Sequence, residues 1–515
     1  KIHIVSNSDP LRLETLQSIS ALDATTPEEI LVTNVDGVVK KISVNNLGIT
    51  GTGDNDWEIL TTPADHIRAK EGGIANHTAS MIGTGANTQI NLGYNSETSS
   101  EYSGISSGFA NTVSGNFSVI SGGIENIINL SASYSGISSG HSNTVSGNYS
   151  IIDGGENNYI QDFAEHNFIG GGIRNKIAYS ITAPSFSVIC GGGQNQSRYF
   201  CFVGGGANNW AHGFKSAVVG GDWNNPNGSW SIIGGGSNNF IGTNGYGSAV
   251  VGGFNNSVSE YYSFIGGGES NLIYSINSTT SYSAISGGFS NTVSGNKSII
   301  GGGESNFIGE YADDNFIGGG YLNTINIAPT NSANIIPSYS VISGGYLNRI
   351  YSEKSVISGG EGNVIDYDGS NSAISGGKSN VIQEYGKYNY IGGGFSNEIG
   401  YHWGFGPTEY TTIAGGKDNF AFNSSFIGGG FNNRADGLIN SIAGGENNRI
   451  TARWGTIAGG YGNMISLQAL GAYSGALCGF SNTVSGYASV ISGGYENNIA
   501  GSYSAITGGL NNEID

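Results

Sequence analysis

The chain has 515 residues, and 89 of them are glycine. Charged residues make up only 11% of the sequence, against roughly 25% in ordinary soluble proteins. The apolar fraction of 37% excludes a disordered Gly/Ser linker, and the 8 prolines without a Gly-X-Y period exclude collagen. The net charge of −19 opposes binding to nucleic acid or to anionic membranes. The sequence contains no run of ~18 apolar residues, so it predicts no membrane-spanning helix.

The first 70 residues differ from the rest in composition, because they hold 16 of the 57 charged residues. Residues 2–5 (Ile-His-Ile-Val) predict a short strand. Residues 30–44 predict a β-hairpin with Asp36 and Gly37 at its turn, since Asp-Gly suits the tight turns of hairpins. We therefore expect residues 1–70 to form a small β region that attaches or caps the segment that follows.

Residues 71–515 are built from a short repeat that reads Ser-φ-Ile-x-Gly-Gly-x-x-Asn-x-Ile, where φ is mostly apolar. Residues 118–128 and 298–308 are two of its copies. Aligned on the asparagine, the repeat occurs 26 times between Asn76 and Asn512, most often 14, 15 or 17 residues apart. Self-similarity at a short fixed period is typical of solenoid proteins.

A unit of about 15 residues with Gly-Gly in its middle is too short for a helical repeat. Ile and Val between Gly and Asn predict two short strands in each unit. Stacked at the strand spacing of about 4.8 Å, the units predict an all-β, parallel β-solenoid about 125 Å long. We expect the aligned asparagines to stack into a hydrogen-bonded amide ladder, represented by Asn126, Asn271, Asn306, Asn397 and Asn448.

The position before the first isoleucine of the repeat carries a second apolar column. It is apolar in 20 of the 26 copies, although adjacent strand residues point to opposite faces. One of the two columns must therefore face outward, where it would form a very large exposed apolar patch on a monomer. We predict that this stripe is buried between copies of the chain; its members include Val119, Phe168, Phe264, Ile299, Phe316 and Phe426.

These repeats resemble the Gly- and Asn-rich arrays of phage tail-fibre proteins and, in architecture, the heads of trimeric adhesins of the YadA type. The resemblance covers about residues 70–515, and the leader segments at residues 10–17 and 30–42 also look like those of such chains. It implies a homotrimeric, left-handed β-roll fibre that is exposed outside a cell or on a virion. It further implies attachment to a host-surface glycan or another receptor.

We predict no catalytic site, no metal site and no cofactor. The seven histidines fall at unrelated positions of the repeat, and no Gly-Lys-Ser/Thr phosphate loop is present. Residues 359–364 and 459–464 approach the calcium-binding GGxGxD repeat but lack its aspartate. Glutamates recur just before the asparagine column, and we interpret them as a solvated face: Glu125, Glu156, Glu269, Glu304, Glu361, Glu446 and Glu496.

The variable loops between strands are the better candidates for binding, since binding residues tend to lie on loops held by a rigid scaffold. The insertion at residues 400–410 is the most aromatic, and its candidate glycan-binding residues are Tyr401, His402, Trp403, Phe405 and Tyr410. The competing interpretation is that these aromatic residues cover coil edges or an intersubunit seam.

The favoured function is thus that of a non-enzymatic fibre and adhesin. Two alternatives remain. The first is a surface filament whose subunits join end to end through residues 1–70, since an open solenoid end presents an unpaired strand edge. The second is a polysaccharide depolymerase, in which paired carboxylates come from distant coils or chains.

Overall fold

The computed structural model describes residues 93–515 except 179–185, 276–280, 328–335, 401–406 and 467–472, and four strands nearer the N-terminus. The described residues are all-β and contain no helix, so none of them forms a helix that could cross a bilayer. Contacts divide the chain into two compact units, 1–174 and 175–515.

The N-terminal strands form two antiparallel pairs. Glu29–Thr33 pairs with Val39–Ser43, which confirms the strands of the predicted hairpin. Trp57–Leu60 pairs with His66–Ala69, a second hairpin that the sequence analysis did not predict. The predicted turn at Asp36 and the predicted strand at residues 2–5 lie outside the described residues.

In both units the repeats form a parallel β-solenoid, as predicted. Each coil has a first strand before the Gly-Gly pair and a second strand after the asparagine, and each strand pairs in parallel with the corresponding strand of the next coil. In the first unit the first strands are Gly104–Ile105, Val119–Ile120, Gly136–Ile137, Ile151–Ile152 and Phe168–Ile169. The second strands are Glu97–Thr98, Thr112–Val113, Ile127–Ile128, Thr144–Val145 and Tyr159–Ile160.

The second unit repeats this arrangement over more coils. Its first strands are Val188–Ile189, Phe202–Val203, Ala217–Val218, Ile232–Ile233, Ala249–Val250, Phe264–Ile265, Ala284–Ile285, Ile299–Ile300, Phe316–Ile317, Val341–Ile342, Val356–Ile357, Ala373–Ile374, Tyr390–Ile391, Thr412–Ile413, Phe426–Ile427, Ser441–Ile442, Thr456–Ile457, Gly475–Ala476, Val490–Ile491 and Ala505–Ile506. Its second strands are Lys176–Ile177, Gln196–Ser197, Trp210–Ala211, Asn225–Pro226, Phe240–Ile241, Ser257–Val258, Leu272–Ile273, Thr292–Val293, Phe307–Ile308, Thr324–Ile325, Arg349–Ile350, Val364–Ile365, Val381–Ile382, Glu398–Ile399, Phe420–Ala421, Arg434–Ala435, Arg449–Ile450, Met464–Ile465, Thr483–Val484, Asn498–Ile499 and Glu513–Ile514. A further parallel pair joins Gly386–Lys387 to Thr408–Glu409.

The core of each coil consists of one residue from each strand, and this residue is apolar except for Thr98 and Ser197. Ile300 and Ile308 are fully buried, and the equivalent Ile, Val or Ala residues of the other coils are buried in the same way, except Ile514 in the last coil, which is half-buried. Proline breaks the second-strand pairing once in the second unit, between Trp210–Ala211 and Asn225–Pro226. Pro226 has no N–H to donate to the carbonyl of Trp210, whereas the flanking Trp210 N–H still donates to Asn224 O at 2.9 Å.

The aligned asparagines form a continuous amide ladder inside each unit. The backbone N–H and the Nδ2 of Asn306 both donate to Oδ1 of Asn291, at 3.1 and 3.0 Å. The same Nδ2 donates to the carbonyls of Gly302 and Gly320, each at 3.0 Å. The amide thus holds together its own corner and the corners of the coils on either side. The predicted ladder residues Asn126, Asn271, Asn306, Asn397 and Asn448 all occupy this buried position.

A second polar ladder is formed by the serine that begins the repeat. Ser298 Oγ donates to Ala312 O at 3.0 Å and accepts the backbone N–H of Asn315 at 3.1 Å. Cys201 replaces the serine in one coil and donates to Gly213 O at 2.8 Å. Each coil therefore has a core that is half apolar and half hydrogen-bonded, which lets a coil of so few residues bury its backbone groups.

One coil of the first unit has no ladder asparagine. Ser96 occupies that place, and its Oγ accepts the backbone N–H of Asn111 at 3.1 Å. Thr98 lies buried where other coils have isoleucine. The asparagine-based alignment missed this coil because both marker residues are replaced.

Candidate functional site

The outward residue of each first strand forms a column that we call the strand stripe. Val119, Phe264, Ile299, Phe316 and Phe426 are exposed in it, and Phe168 is half-buried. Phe264, for example, keeps 42% of its surface accessible. Within the described units nothing covers this apolar column, which is the arrangement from which the sequence analysis predicted an intersubunit contact.

The size of each residue in the strand stripe depends on whether the residue two places further along the chain is glycine. In eight coils that residue is glycine, and each of the eight has a bulky stripe residue: Phe168, Phe202, Ile232, Phe264, Ile299, Phe316, Tyr390 and Phe426. Among the other seventeen described coils only Ile151 is as large. Residues two apart lie on the same face of a strand, and a Cβ added to Gly266 would lie 3.4 Å from the Phe264 ring. The rings of Phe202, Phe264 and Phe316 therefore lie beside a bare glycine.

The two strand faces differ in charge. Among the outward positions of the first-strand face, counting the stripe and the residue two places on, Asp153 is the one charged residue in the 25 described coils. The outward positions of the second strands carry seven charges: Glu97, Lys176, Arg349, Glu398, Arg434, Arg449 and Glu513. Arg434 and Arg449 both bond Asp436, at 2.8 and 2.7 Å. The first-strand face is thus far better suited to contact with another apolar surface.

The residue before the ladder serine forms a second exposed column, which we call the aromatic column. It has a positive φ in 24 of the 25 described coils, for example +56° at Phe117 and +57° at Tyr134. In the first unit five rings of this column stack at 4.7–5.0 Å: Tyr102, Phe117, Tyr134, Tyr149 and His166. Stacking of about 0.5–1.5 kcal/mol per pair offsets the roughly 1–2 kcal/mol cost of the left-handed conformation. The sequence analysis missed this column, although aromatic-Ser pairs mark it.

Of the five candidate binding residues in the 400–410 loop, Tyr410 alone lies among the described residues; Tyr401, His402, Trp403 and Phe405 lie outside them. Tyr410 belongs to the aromatic column, and its ring stacks on Tyr388 at 5.1 Å with an angle of 4°. One face of each ring is therefore covered by the other. Only the outer faces of this pair remain open to a ligand.

A cleft of about 570 Å³ opens on the other side of Tyr388. Tyr339 and Tyr388 lie at its two ends, and Asp313, Glu353, Asp368 and Lys387 are among its charged lining residues. Lys387 Nζ lies 3.0 Å from Asp368 Oδ1, and this hydrogen bond raises the pKa of the lysine. Lys354 Nζ bonds Glu353 Oε1 at 3.2 Å.

The carboxylates of the cleft are arranged for hydrogen bonding. Glu353 and Asp368 each bond an ammonium group, that of Lys354 and that of Lys387. The glutamates that precede the ladder asparagine form surface contacts, such as Glu125 with His141 at 3.5 Å. In the described part of the chain, no three His, Cys, Asp or Glu residues are grouped so that they could hold a metal ion.

Comparison of the chain with models of protein families gave no match. A comparison with curated proteins also gave none. The fold itself therefore defines the class: an all-β repeat protein wound as a parallel β-solenoid.

Proposed function

We propose that this chain is a non-enzymatic structural fibre and adhesin, exposed outside a cell or on a virion. The observation that carries the proposal is the first-strand face, which has an exposed apolar stripe and, in the described coils, a single charged residue, Asp153, and recurs coil after coil in both units. A surface of this kind gains from burial against another copy of the chain, at about 25 cal/mol for each Å² removed from water. The resemblance to tail fibres and trimeric adhesins makes three copies the expected number.

Stiffness is the mechanical part of this function. Parallel strands, the asparagine ladder and the serine ladder connect each coil to its neighbours through hydrogen bonds at every corner. A rod of this kind presents surface side chains at fixed positions. Attachment to a glycan on the target surface is the role that the exposed aromatic residues support.

The test is the mass of the purified chain in solution, together with electron microscopy. We expect discrete particles of three times 53.1 kDa. Phe264→Glu, in the strand stripe, should shift the mass towards one chain. Phe240→Glu is the matched control, because Phe240 is equally exposed on the second-strand face. A monomeric wild-type chain would refute the self-association.

The two alternatives give different results in the same experiments. End-to-end filaments with a regular axial repeat would favour the polymer joined through residues 1–70. Release of reducing ends from capsule or exopolysaccharide would favour a depolymerase, and changing one carboxylate of its acidic pair should abolish that release.

A further inference from the structure

The cleft between Tyr339 and Tyr388 is an interruption of the aromatic column. Lys354 and Asn371 take the two column positions between the tyrosines. The backbone shows that these four residues lie in successive coils: Lys354 N–H donates to Ser338 O at 2.8 Å, Asn371 N–H to Glu353 O at 3.2 Å, and Tyr388 N–H to Ser370 O at 3.0 Å. Three coil steps of about 4.8 Å separate the two tyrosines by about 14 Å.

The uncovered faces of the Tyr339 and Tyr388 rings are turned towards this gap. Tyr410 covers one face of Tyr388, so the free face of Tyr388 is the one turned towards Asn371. Tyr339 has Asp314 and Lys354 as its column neighbours, and 60% of its surface is accessible. Elsewhere rings on adjacent coils cover one another, as Tyr134 does with Phe117 at 4.7 Å. Here two flat apolar platforms lie at the ends of a polar trough.

The polar groups that line the cleft are mainly acceptors. The carboxylates of Asp313, Glu353 and Asp368 line the cleft, together with the hydroxyls of Ser338 and Ser370. Hydrogen bonds from neutral hydroxyl groups to ionised carboxylates are among the stronger ones in proteins. A ligand that combines apolar C–H faces with many hydroxyl donors fits both features, and a sugar ring has this combination.

The charged groups of the cleft indicate whether a bound sugar would be charged or uncharged. Three carboxylates and the one ammonium group of Lys387 line it, and that ammonium is already paired with Asp368. Lys354 pairs with Glu353 in the same way, so the two ammonium groups beside the cleft are both engaged, and Asp313 leaves one net negative charge that disfavours an anionic saccharide. We infer that this cleft binds an uncharged oligosaccharide of a few units, with its end rings on Tyr339 and Tyr388. The inference rests on the proposed attachment function and places the contact on this cleft.

The experiment titrates the full-length chain with defined probes by calorimetry and saturation-transfer NMR. Maltohexaose, cellohexaose and N-acetylchitohexaose are the uncharged probes, and oligogalacturonate and sialyllactose are the anionic ones. We expect binding of at least one uncharged probe. Tyr339→Ala and Tyr388→Ala should each weaken it about tenfold or more, the range found when an aromatic stacking platform is removed. Tyr503→Ala is the matched control, since Tyr503 lies in the same column with the same positive φ, outside the cleft.

A variant that adds a ring blocks the cleft without removing a side chain, so a loss of binding in this variant cannot be attributed to unfolding. Asn371→Tyr places a ring in the gap at a position whose φ of +57° is shared by the tyrosines of the column. It should stack on Tyr388, keep or raise the melting temperature, and abolish binding. Ser424→Tyr adds a ring beside Tyr410 in the same way, outside the cleft, and should leave binding unchanged.

The outcomes separate the inference from the proposed function. Equal binding by the wild type and the three cleft variants would overturn the inference. Binding of an anionic probe that is lost in the tyrosine variants would overturn the class of sugar. A chain that adheres to cells but binds none of the uncharged probes would also overturn the inference while leaving the attachment function standing. A chain that adheres to no cell surface and no polysaccharide would overturn the function itself.

Discussion

The Gly-Gly pair of a single coil offers a sharp test of how the corner is built. Gly236 has a φ of +80°, and a Cβ added to it would lie 2.1 Å from the carbonyl oxygen of Gly253 in the next coil. Its neighbour Gly235 has no atom within 4 Å of an added Cβ. Gly236→Ala and Gly235→Ala therefore make the same chemical change at adjacent positions with opposite steric consequences.

The magnitude follows from two terms. A side chain at positive φ costs about 1–2 kcal/mol, and forcing a methyl group against packed backbone typically costs a further 1–3 kcal/mol. The shift also disturbs the bond from Asn239 Nδ2 to Gly253 O, which is 3.0 Å long. We expect Gly236→Ala to lower the free energy of local opening by about 2–5 kcal/mol. Gly235→Ala should raise it by up to about 1 kcal/mol, because alanine restricts the unfolded chain.

Hydrogen exchange read by mass spectrometry is the suitable assay, because in a repeat array each coil contacts only its neighbours and the effect stays local. Amides of residues 232–258 should exchange about 30- to 4,000-fold faster in Gly236→Ala than in the wild type, since about 1.4 kcal/mol corresponds to a factor of ten. Peptides far along the chain serve as the internal control. Equal exchange in the two alanine variants would refute the steric argument.

Two further predictions concern the polar groups of the coils. Asn306→Ala leaves the buried backbone N–H of the next ladder asparagine without its acceptor, and it should lower the free energy of opening of the neighbouring coils by about 3–5 kcal/mol, as measured by hydrogen exchange. The control Asn498→Ala removes one exposed bond to Glu513 and should change this free energy by less than about 0.5 kcal/mol. Similar effects of the two variants would contradict the role of the ladder. Burial, with a smaller contribution from Arg198, lowers the pKa of His212 from 6.5 to about 4. As the pH falls, the histidine of the unfolded chain therefore binds a proton before the buried one does. The stability of the coils around His212 should consequently decrease as the pH drops from 6.5 to about 4. His212→Gln should remove this loss in exchange measured across that range, and an unchanged acid response would assign it to other groups.

Repetition made the fold readable from the sequence. Each marker residue of the coil recurs some two dozen times, so the inner isoleucines and the ladder asparagines stand out against variable neighbours. The signals also agree physically, because Ile and Val favour strands while Gly and Asn favour the turns between them. The coil around Ser96 escaped because serine and threonine replace both markers there, although the backbone continues the same pairing.

The sequence by itself determined the coil: its two short strands, its buried columns and its outward apolar stripe all follow from residue order within one unit. Only the tertiary structure decided which side chains of different coils meet. Tyr388 and Tyr410 are 22 residues apart and stack, while Tyr339 and Tyr388 are 49 apart and face a common cleft. Because coils differ in loop length, these neighbours have no fixed spacing along the chain. Their contacts arise from stacking at a constant axial step, which the register of the hydrogen-bonded strands imposes.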